Sequence, residues 1–432
     1  MKELGIGLLG FGTVGAGVVE GLQRNGALLA ERLGVRLVLR KIADLDLDTD
    51  RGVAVDRALL TRDAGAVIRD PAVDVIIELI GGTGVAKKFV LEALQLGKPV
   101  ITANKKLLAE YGAELFAAAA AAGTTLHFEA SVGGGIPVIK ALREGLVANH
   151  IKSIYGILNG TCNYILTRME REKLPFDAVL KAAQAAGYAE AEPSLDIDGH
   201  DTAHKALVLA SLAYGCALPL TAAHVEGIRG LAAEDISDAL EMGYRIKLLG
   251  IVKRGPAGIS VRVHPTLVPL NHMLAAVDGV FNAILVDGDI VGQTLYFGRG
   301  AGRQATASAV LSDLADVARD RAAGSQQRIA LPGPACAAAQ LQTTGAEPVR
   351  CYLRLALLDK PGMLARVAQV LGEHQISIAS VMQKESSVGH HVPVVIVTHQ
   401  APESAFQQAF AQIDRMDIIG APTVRLRIED FA

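Results

Sequence analysis

The spacing of apolar positions changes along the chain in a way that marks out strands and helices before any composition is counted. Leu4–Leu9 is a short apolar run ending at glycine, and the AGVVEGLQR that follows has helical spacing, so a strand, a tight turn and a helix are predicted. Two more apolar strands follow, Val35–Ala43 and Asp74–Ile80, the latter ending in GGTG, and KPVITANKK (Lys98–Lys106) adds a strand and a turn. Strands alternating with helices predict a parallel sheet covered by helices. An alanine-rich helix to Ala122 and a strand LHFEASV then lead into Gly133, Gly134 and Gly135. Between 206 and 297, an apolar helix (Ala206–Cys216), strand-like ISVRVHPTLV and the turn VDGDIVGQ predict a mixed sheet, and the helix Thr306–Arg319 is expected to return to the first sheet.

Residues 322–348 are small, polar and interrupted by Pro332 and Pro334, which reads as a linker. Beyond it, Val349–Leu358 alternates as a strand, Asp359–Gly362 turns, MLARVAQVLGEH is helical, ISIASVMQKE and HVPVVIVTHQ are strands, and Glu403–Ile413 and Thr423–Ile428 complete βαββαβ, a ferredoxin-like unit. The expected architecture is α/β. A nucleotide-binding domain over 1–128 is completed by about 301–325, a substrate and dimerisation domain is inserted over 129–300, the linker spans 326–348, and a separate unit occupies 349–432.

Composition narrows the function. A length of 432 residues with 50% hydrophobic content suits a multidomain protein with full cores. A net charge of -3 without any Lys/Arg run offers nucleic acid no basic face. No apolar stretch reaches membrane-spanning length, and MKELGIGLLGFG runs straight into a strand instead of a signal peptide, so a cytoplasmic protein is expected. Cys162, Cys216, Cys336 and Cys351 form no CxxC pair, so neither a disulfide nor a structural zinc is expected.

The first strand enters Gly10-Phe11-Gly12-Thr13-Val14-Gly15, a GxGxxG fingerprint in its strand–turn–helix setting. The first glycine permits the turn, the second lets backbone approach a pyrophosphate, and the third lets helix pack on strand, with the helix N-terminus facing the anion. A Rossmann-type dinucleotide site is therefore predicted. Asp44 after the second strand favours a free ribose hydroxyl and hence NAD, although it lies beyond the usual spacing, has a plain turn residue as its alternative reading, and has Arg40, Lys41 and Arg51 near enough to meet a 2'-phosphate. Lys105 and Lys106, after Asn104 at a strand's C-terminal end, face the ligand crevice; the alternative is a pair of solvated lysines. Gly133–Gly135 after Glu129 either turn carbonyls toward a hard monovalent cation or form a hinge.

The strongest chemical signal is GYAEAEPSLDIDGHDTAHK, where Glu190, Glu192, Asp196, Asp198 and Asp201 precede Lys205. Several like charges close together call for a cationic group, here the ammonium of an amino-acid substrate. Asp201 lies four residues before Lys205 and shares its helical face, where it can keep the lysine charged and aimed; the plain alternative is a surface ion pair worth about 0.3–0.5 kcal/mol. A positioned ammonium can stabilise charge that develops on a substrate oxygen and then supply its proton. His200 and His204 lack a third ligand at metal spacing. Two rival functions are a phosphorylating aldehyde dehydrogenase, for which Cys162 would be the nucleophile although no histidine is paired with it, and a non-catalytic nucleotide sensor, which would not require the acidic segment.

These motifs resemble those of homoserine dehydrogenases: GFGTVG at Gly10, TANKK at Thr102, EASVGGGIP at Glu129, NGTCNYI at Asn159, the acidic segment at Gly187 and GRGAG at Gly298, in the family's order over residues 1 to about 325. The resemblance implies interconversion of L-aspartate 4-semialdehyde and L-homoserine by NAD or NADP, in the branch leading to threonine and methionine. It implies that Lys205 is the proton donor and Lys105 the second catalytic lysine, also touching substrate and cofactor. Glu190, Asp196 and Asp201 become the substrate shell, Thr83 and Gly302 further cofactor contacts, and Glu129 with the backbone of Val132, Gly134 and Ile136 a structural sodium or potassium site. Three departures stand out: Leu45 replaces a frequent arginine, which weakens NADP, Val85 replaces a proline, and Arg299 adds charge beside the cleft. The 349–432 unit resembles an ACT regulatory domain, which implies an amino-acid effector, L-threonine by pathway logic, with Gly362 and Ile376 as contacts, and a homodimer or homotetramer because exposed sheet edges gain from being covered.

Overall fold

The computed structural model describes residues 2–325, 333–335, 341–342, 347–384 and 391–431. The chain begins with β1 (Lys2–Leu9), α1 (Thr13–Leu33), β2 (Val35–Ala43), β3 (Leu60–Thr61), α2 (Ala64–Arg69), β4 (Val75–Glu78), α3 (Gly84–Gln95), β5 (Val100–Thr102), α4 (Lys105–Ala121) and β6 (Leu126–His127). All six strands run parallel in the order β3-β2-β1-β4-β5-β6. Helices cover both faces, which is why Ile6, Leu8, Leu9, Ile76, Ile77 and Ile101 are all fully buried and the strands read as unbroken apolar runs. The order reverses between β1 and β4, opening a crevice at the strands' C-terminal ends.

The next segment contains α5 (Val138–Lys140), β7 (Ile151–Ile157), α6 (Gly160–Glu172), α7 (Phe176–Ala185), α8 (Ser194–Ile197), α9 (His200–Tyr214), β8 (Cys216–Ala217), β9 (Ala223–Val225), α10 (Ala233–Glu241), β10 (Tyr244–Gly255), β11 (Gly258–Pro269), β12 (Phe281–Gly288), β13 (Gly292–Arg299) and α11 (Arg303–Ala323). α11 returns to the first sheet: Ala307, Val310, Leu314 and Val317 join a core with Ile6, Val18 and Val19. The predicted strand LHFEASV is cut to two residues, because Ser131 bonds back to the Phe128 carbonyl through both its hydroxyl (2.6 Å) and its N–H (3.0 Å), turning the chain. The helix predicted to start at Ala206 starts at His200, after Gly199 in the left-handed conformation (φ 88°).

Most of the predicted linker lies outside the described residues, but β14 (Gly333–Ala335) pairs in parallel with β8. The final elements are β15 (Pro348–Leu358), α12 (Met363–Glu373), β16 (Ile378–Gln383), β17 (His391–Thr398), β18 (Ala401–Pro402), α13 (Glu403–Ile413) and β19 (Val424–Ile428), the predicted βαββαβ. The last residues of the predicted strand ISIASVMQKE run into 385–390, outside the described residues.

Two further features were not expected from the sequence. The C-terminal unit shares a sheet with the preceding domain: β19 pairs in parallel with β11 (Thr266 with Arg427, Leu267 with Ile428), producing one 11-stranded sheet whose main path is β13-β12-β7-β10-β11-β19-β15-β17-β16, with β9 beside β11 and β18 beside β15. An unpaired strand edge is a liability, and here the chain covers its own. Tyr352, Val395, Val397, Leu426 and Ile428 accordingly share a core with Ile197, Leu248 and Val263. Second, Cys216 is disulfide-bonded, against the expectation of none; the β8–β14 pairing lays the linker beside it, whereas Cys162 and Cys351 are free and buried. Among the described residues no helix is long and apolar enough to cross a membrane.

Candidate active site

The glycine loop is built as the fingerprint requires. Gly10 has φ 97°, and a Cβ on Gly15 would lie 2.2 Å from the Gly10 carbonyl oxygen, so only glycine lets α1 start this close to β1. The starts of α1 at Gly12, α3 at Thr83 and α11 at Gly302 carry no side-chain cap, which leaves their first N–H groups for an anionic ligand. Asp44 is half-buried beside the loop: one carboxylate oxygen accepts the Phe11 N–H and the other the Asp46 N–H at 2.9 Å. Asp44 thus shapes the loop that a dinucleotide would cross. Of the three cations weighed against it, Arg40 pairs with Glu3, Lys41 donates to the Ala58 carbonyl, and Arg51 pairs with Asp46.

A second network fixes the crevice at the ends of β4 and β5. Buried Glu78, at the end of β4, accepts the Thr102 hydroxyl at 2.6 Å and the Ile80 N–H at 2.8 Å. The Thr102 hydroxyl oxygen accepts the Asn104 N–H. Asn104 caps α4, its Oδ1 accepting the Leu107 N–H at 3.1 Å, while its amide donates to the Gly82 carbonyl at 2.7 Å. Lys105 is thereby placed on the first residue of α4, above the end of β5.

From the opposite wall comes α9. Its Asp201 is buried (3% exposed) and joins both lysines: Lys205 Nζ lies 2.6 Å from Oδ2 and Lys105 Nζ 3.1 Å from Oδ1. Burial alone would raise the Asp201 carboxyl, but Lys205, Lys105 and the Asn159 amide outweigh it and hold it well below the usual carboxylate range. Lys205 also donates to the Leu158 carbonyl at 2.8 Å, and that carbonyl is held by Asn282 at 3.0 Å. Asn159 caps α6 through the Cys162 N–H and donates to Asp196 (2.7 Å) and Asp201 (2.9 Å). An ion pair buried this deeply is not a solvated helix-surface contact.

The structure therefore brings Lys105, Asp196, Asp201 and Lys205 together. Glu190 is exposed on the segment between α7 and α8, and its carboxylate joins none of these bonds. His200 is exposed and His204 buried, its imidazole pushed below its usual range by burial. Cys162 is fully buried, donates to the Asp196 carbonyl, and has its thiol pushed up by burial, which removes it as a nucleophile. Leu158, Asn159, Asn282 and Glu78 were missed as site residues. Of these only Asn159 left a signal, as an Asn-Gly-Thr helix start.

Glu129 sits at the hinge between the sheets and is buried, its carboxylate accepting the Ile139 and Lys140 N–H groups at 2.9 and 2.7 Å. Burial pushes its carboxyl up to about 7 against those bonds and the charges of Lys140 and Arg143. Gly133 and Gly134 both have positive φ. A buried carboxylate whose desolvation is only partly offset suits a hard cation, while in the adjoining loop the Gly133 and Ile136 carbonyls accept the Ile136 and Val138 N–H groups at 2.9 and 2.8 Å. His127, Asp313 and Asp316 also converge nearby, but Lys140 lies 2.7 Å from Asp316 and Arg143 3.5 Å from it. Gly362 starts α12 at φ 88°, and Ile376 is buried below it.

Family models match in chain order: homoserine dehydrogenase, NAD binding domain over residues 10–129, homoserine dehydrogenase over 137–315 and ACT domain over 352–415. The homoserine dehydrogenase of Neisseria gonorrhoeae is 44% identical over the full length of both chains. The crystal structure of a homoserine dehydrogenase from Thiobacillus denitrificans superposes with TM-score 0.92 at 45% identity, covering 100% of this chain and 99% of that one. A hyperthermophilic archaeal homoserine dehydrogenase in complex with NADPH matches 72% of this chain and 96% of its own at TM-score 0.61 and 26% identity. With a dinucleotide-type glycine loop, two lysines on one buried carboxylate, and relatives alike from end to end, this chain belongs to the homoserine dehydrogenase family.

Proposed function

We propose that the enzyme interconverts L-aspartate 4-semialdehyde and L-homoserine in the crevice between its two sheets, for threonine and methionine synthesis, with Lys205 as proton donor. The observation that carries this reading is Asp201, buried between a lysine from each wall. A bound nicotinamide supplies or takes the hydride. Lys205 Nζ, held by Asp201 and the Leu158 carbonyl, is aimed by two acceptors and keeps a proton for the substrate oxygen. Lys105 stands at the cofactor side of the same carboxylate, while Asp196, Asp201 and Glu190 receive the substrate ammonium. Glu190 would have to move inward from its exposed position to do so.

Gly10, Phe11, Gly12, Thr13, Val14, Gly15, Thr83 and Gly302 would line the dinucleotide, and Asp44 favours NAD over NADP. Glu129 with the carbonyls of Val132, Gly134 and Ile136 would hold sodium or potassium. The same reading divides the chain into 1–128 with 301–325, 129–300 and 349–432, makes the last a feedback unit for L-threonine at Gly362 and Ile376, and makes the protein a cytoplasmic homodimer or homotetramer. Oxidation of L-homoserine, followed as nicotinamide absorbance with NAD and NADP in parallel and with or without L-threonine, tests it. Turnover faster with NAD is expected; turnover with NADP alone would overturn Asp44's role, and none with either would overturn the function.

A further inference from the structure

We infer that Arg427, contributed by the C-terminal unit, is a positioning residue for the substrate shell and acts through Glu226. Arg427 lies on β19 opposite Thr266 and is buried (4% exposed). Its guanidinium forks onto Glu226, Nη1 to Oε2 at 2.8 Å and Nη2 to Oε1 at 2.9 Å, and its remaining edge binds Glu403 at 2.8 and 3.1 Å. Four of its five N–H donors bind carboxylates, and Glu226 is held between this fork and His224 of β9, whose Nε2 lies 2.7 Å from Oε1.

Glu226 in turn begins a short segment packed directly on the shell. The Ile228 N–H donates to the Ile197 carbonyl at 2.7 Å, and Arg229 forks onto Asp198 at 2.8 and 3.1 Å and reaches the Ser194 hydroxyl. The approach is close enough that a Cβ on Gly227 would lie 2.1 Å from the Ile197 carbonyl oxygen and 2.4 Å from the Asp198 Cα, and one on Gly199 would lie 3.2 Å from the Glu226 carbonyl. Ile197 belongs to α8, which carries Asp196, and Gly199 starts α9, which carries Asp201 and Lys205. From Arg427 to the shell is therefore one ion pair and one backbone contact. The catalytic half is thus fitted to a carboxylate whose arginine partners, Arg427 and Arg425, both come from the C-terminal unit.

Loss of this ion pair should loosen α8 without touching the dinucleotide loop. Steady-state kinetics of Glu226→Gln and Arg427→Met in the full-length protein should show KM for L-homoserine rising roughly three- to tenfold, in the range for contacts that act through others. KM for the dinucleotide should stay where it is, and Arg427→Lys, which keeps charge but not the fork, should recover part of the loss. Folded variants with unchanged homoserine KM would overturn the inference, as would parallel rises in both KM values with a lowered Tm, which mark general destabilisation. If Arg427→Met does not fold, Glu226→Gln decides alone. The inference rests on Asp196 belonging to the substrate shell. Asp196→Asn measured alongside separates the two: no effect there sinks the shell assignment, whereas an effect there and none at Glu226→Gln sinks only the positioning role.

Discussion

At the residue scale the active site is a problem in holding charges still. Lys205 and Lys105 would repel one another without Asp201, and Asp201 would not stay ionised when buried without them, so each makes the others affordable. Lys205→Met should lower kcat by a factor on the order of 100 to 10,000, the range for a lost general acid, with dinucleotide binding retained; equal loss of nucleotide binding, read by titrating protein fluorescence or NADH quenching, would show that the site collapsed instead. Lys247 poses the opposite case. It is buried on β10, donates to Asn163 at 3.2 Å and to the Val277 carbonyl, and burial lowers its ammonium to about 8 from 10.5. The folded protein thus binds fewer protons than the unfolded chain between about 8 and 10.5, so this group makes stability rise with pH across that window, while its cost, about 3 kcal/mol, is fully present below pH 8. Urea unfolding of the wild type and Lys247→Met at pH 7.5 and pH 10 should show their stability difference shifting toward the wild type at the higher pH; a difference independent of pH would mean the lysine is not desolvated.

Elements decide which of these residues could be read from the sequence. Lys105, Asp201 and Lys205 were legible because each sits in a local pattern: a strand's C-terminal turn, or an i,i+4 pair on one helix. Leu158 and Asn282 were not, because the carbonyl that accepts from Lys205 and the amide that holds that carbonyl come from the ends of β7 and β12, brought together only by an antiparallel pairing across more than a hundred residues. Strands as short as β3 and β6 carry too few residues to show a period, and β6 was overextended because the Ser131 turn has no periodic signature. The glycine loop is the element most tightly specified. Gly15→Ala would drive a Cβ into the Gly10 carbonyl and push α1 away from β1, so dinucleotide KM should rise at least tenfold while the far wall keeps its fold. Unchanged dinucleotide KM would place the pyrophosphate elsewhere.

For the whole molecule, the question is whether the C-terminal unit is an attachment or part of the enzyme. Composition marks the linker and βαββαβ periodicity marks the unit, but nothing local announces that β19 will pair with β11, a strand some 160 residues away. The consequences exceed a hydrogen-bonded edge. Arg354 forks onto buried Asp235 at 2.6 and 3.0 Å, Lys253 pairs with Glu429, and Tyr352, Val395, Val397, Leu426 and Ile428 complete a core begun by Ile197 and Val263. Each of those apolar side chains contributes about 1.5–3 kcal/mol by burial, a sum comparable to the whole net stability of a domain. Removal of residues 349–432 should therefore do more than abolish an effector response. It opens the β11 edge, strands Asp235 and Glu226 without their arginines, and uncovers the core beneath α8. The truncated protein is expected to melt well below the full chain and to associate through the opened edge, by thermal unfolding and size-exclusion chromatography. A monodisperse truncated protein with the parent's Tm and homoserine KM would show that the continuous sheet is incidental to the enzyme.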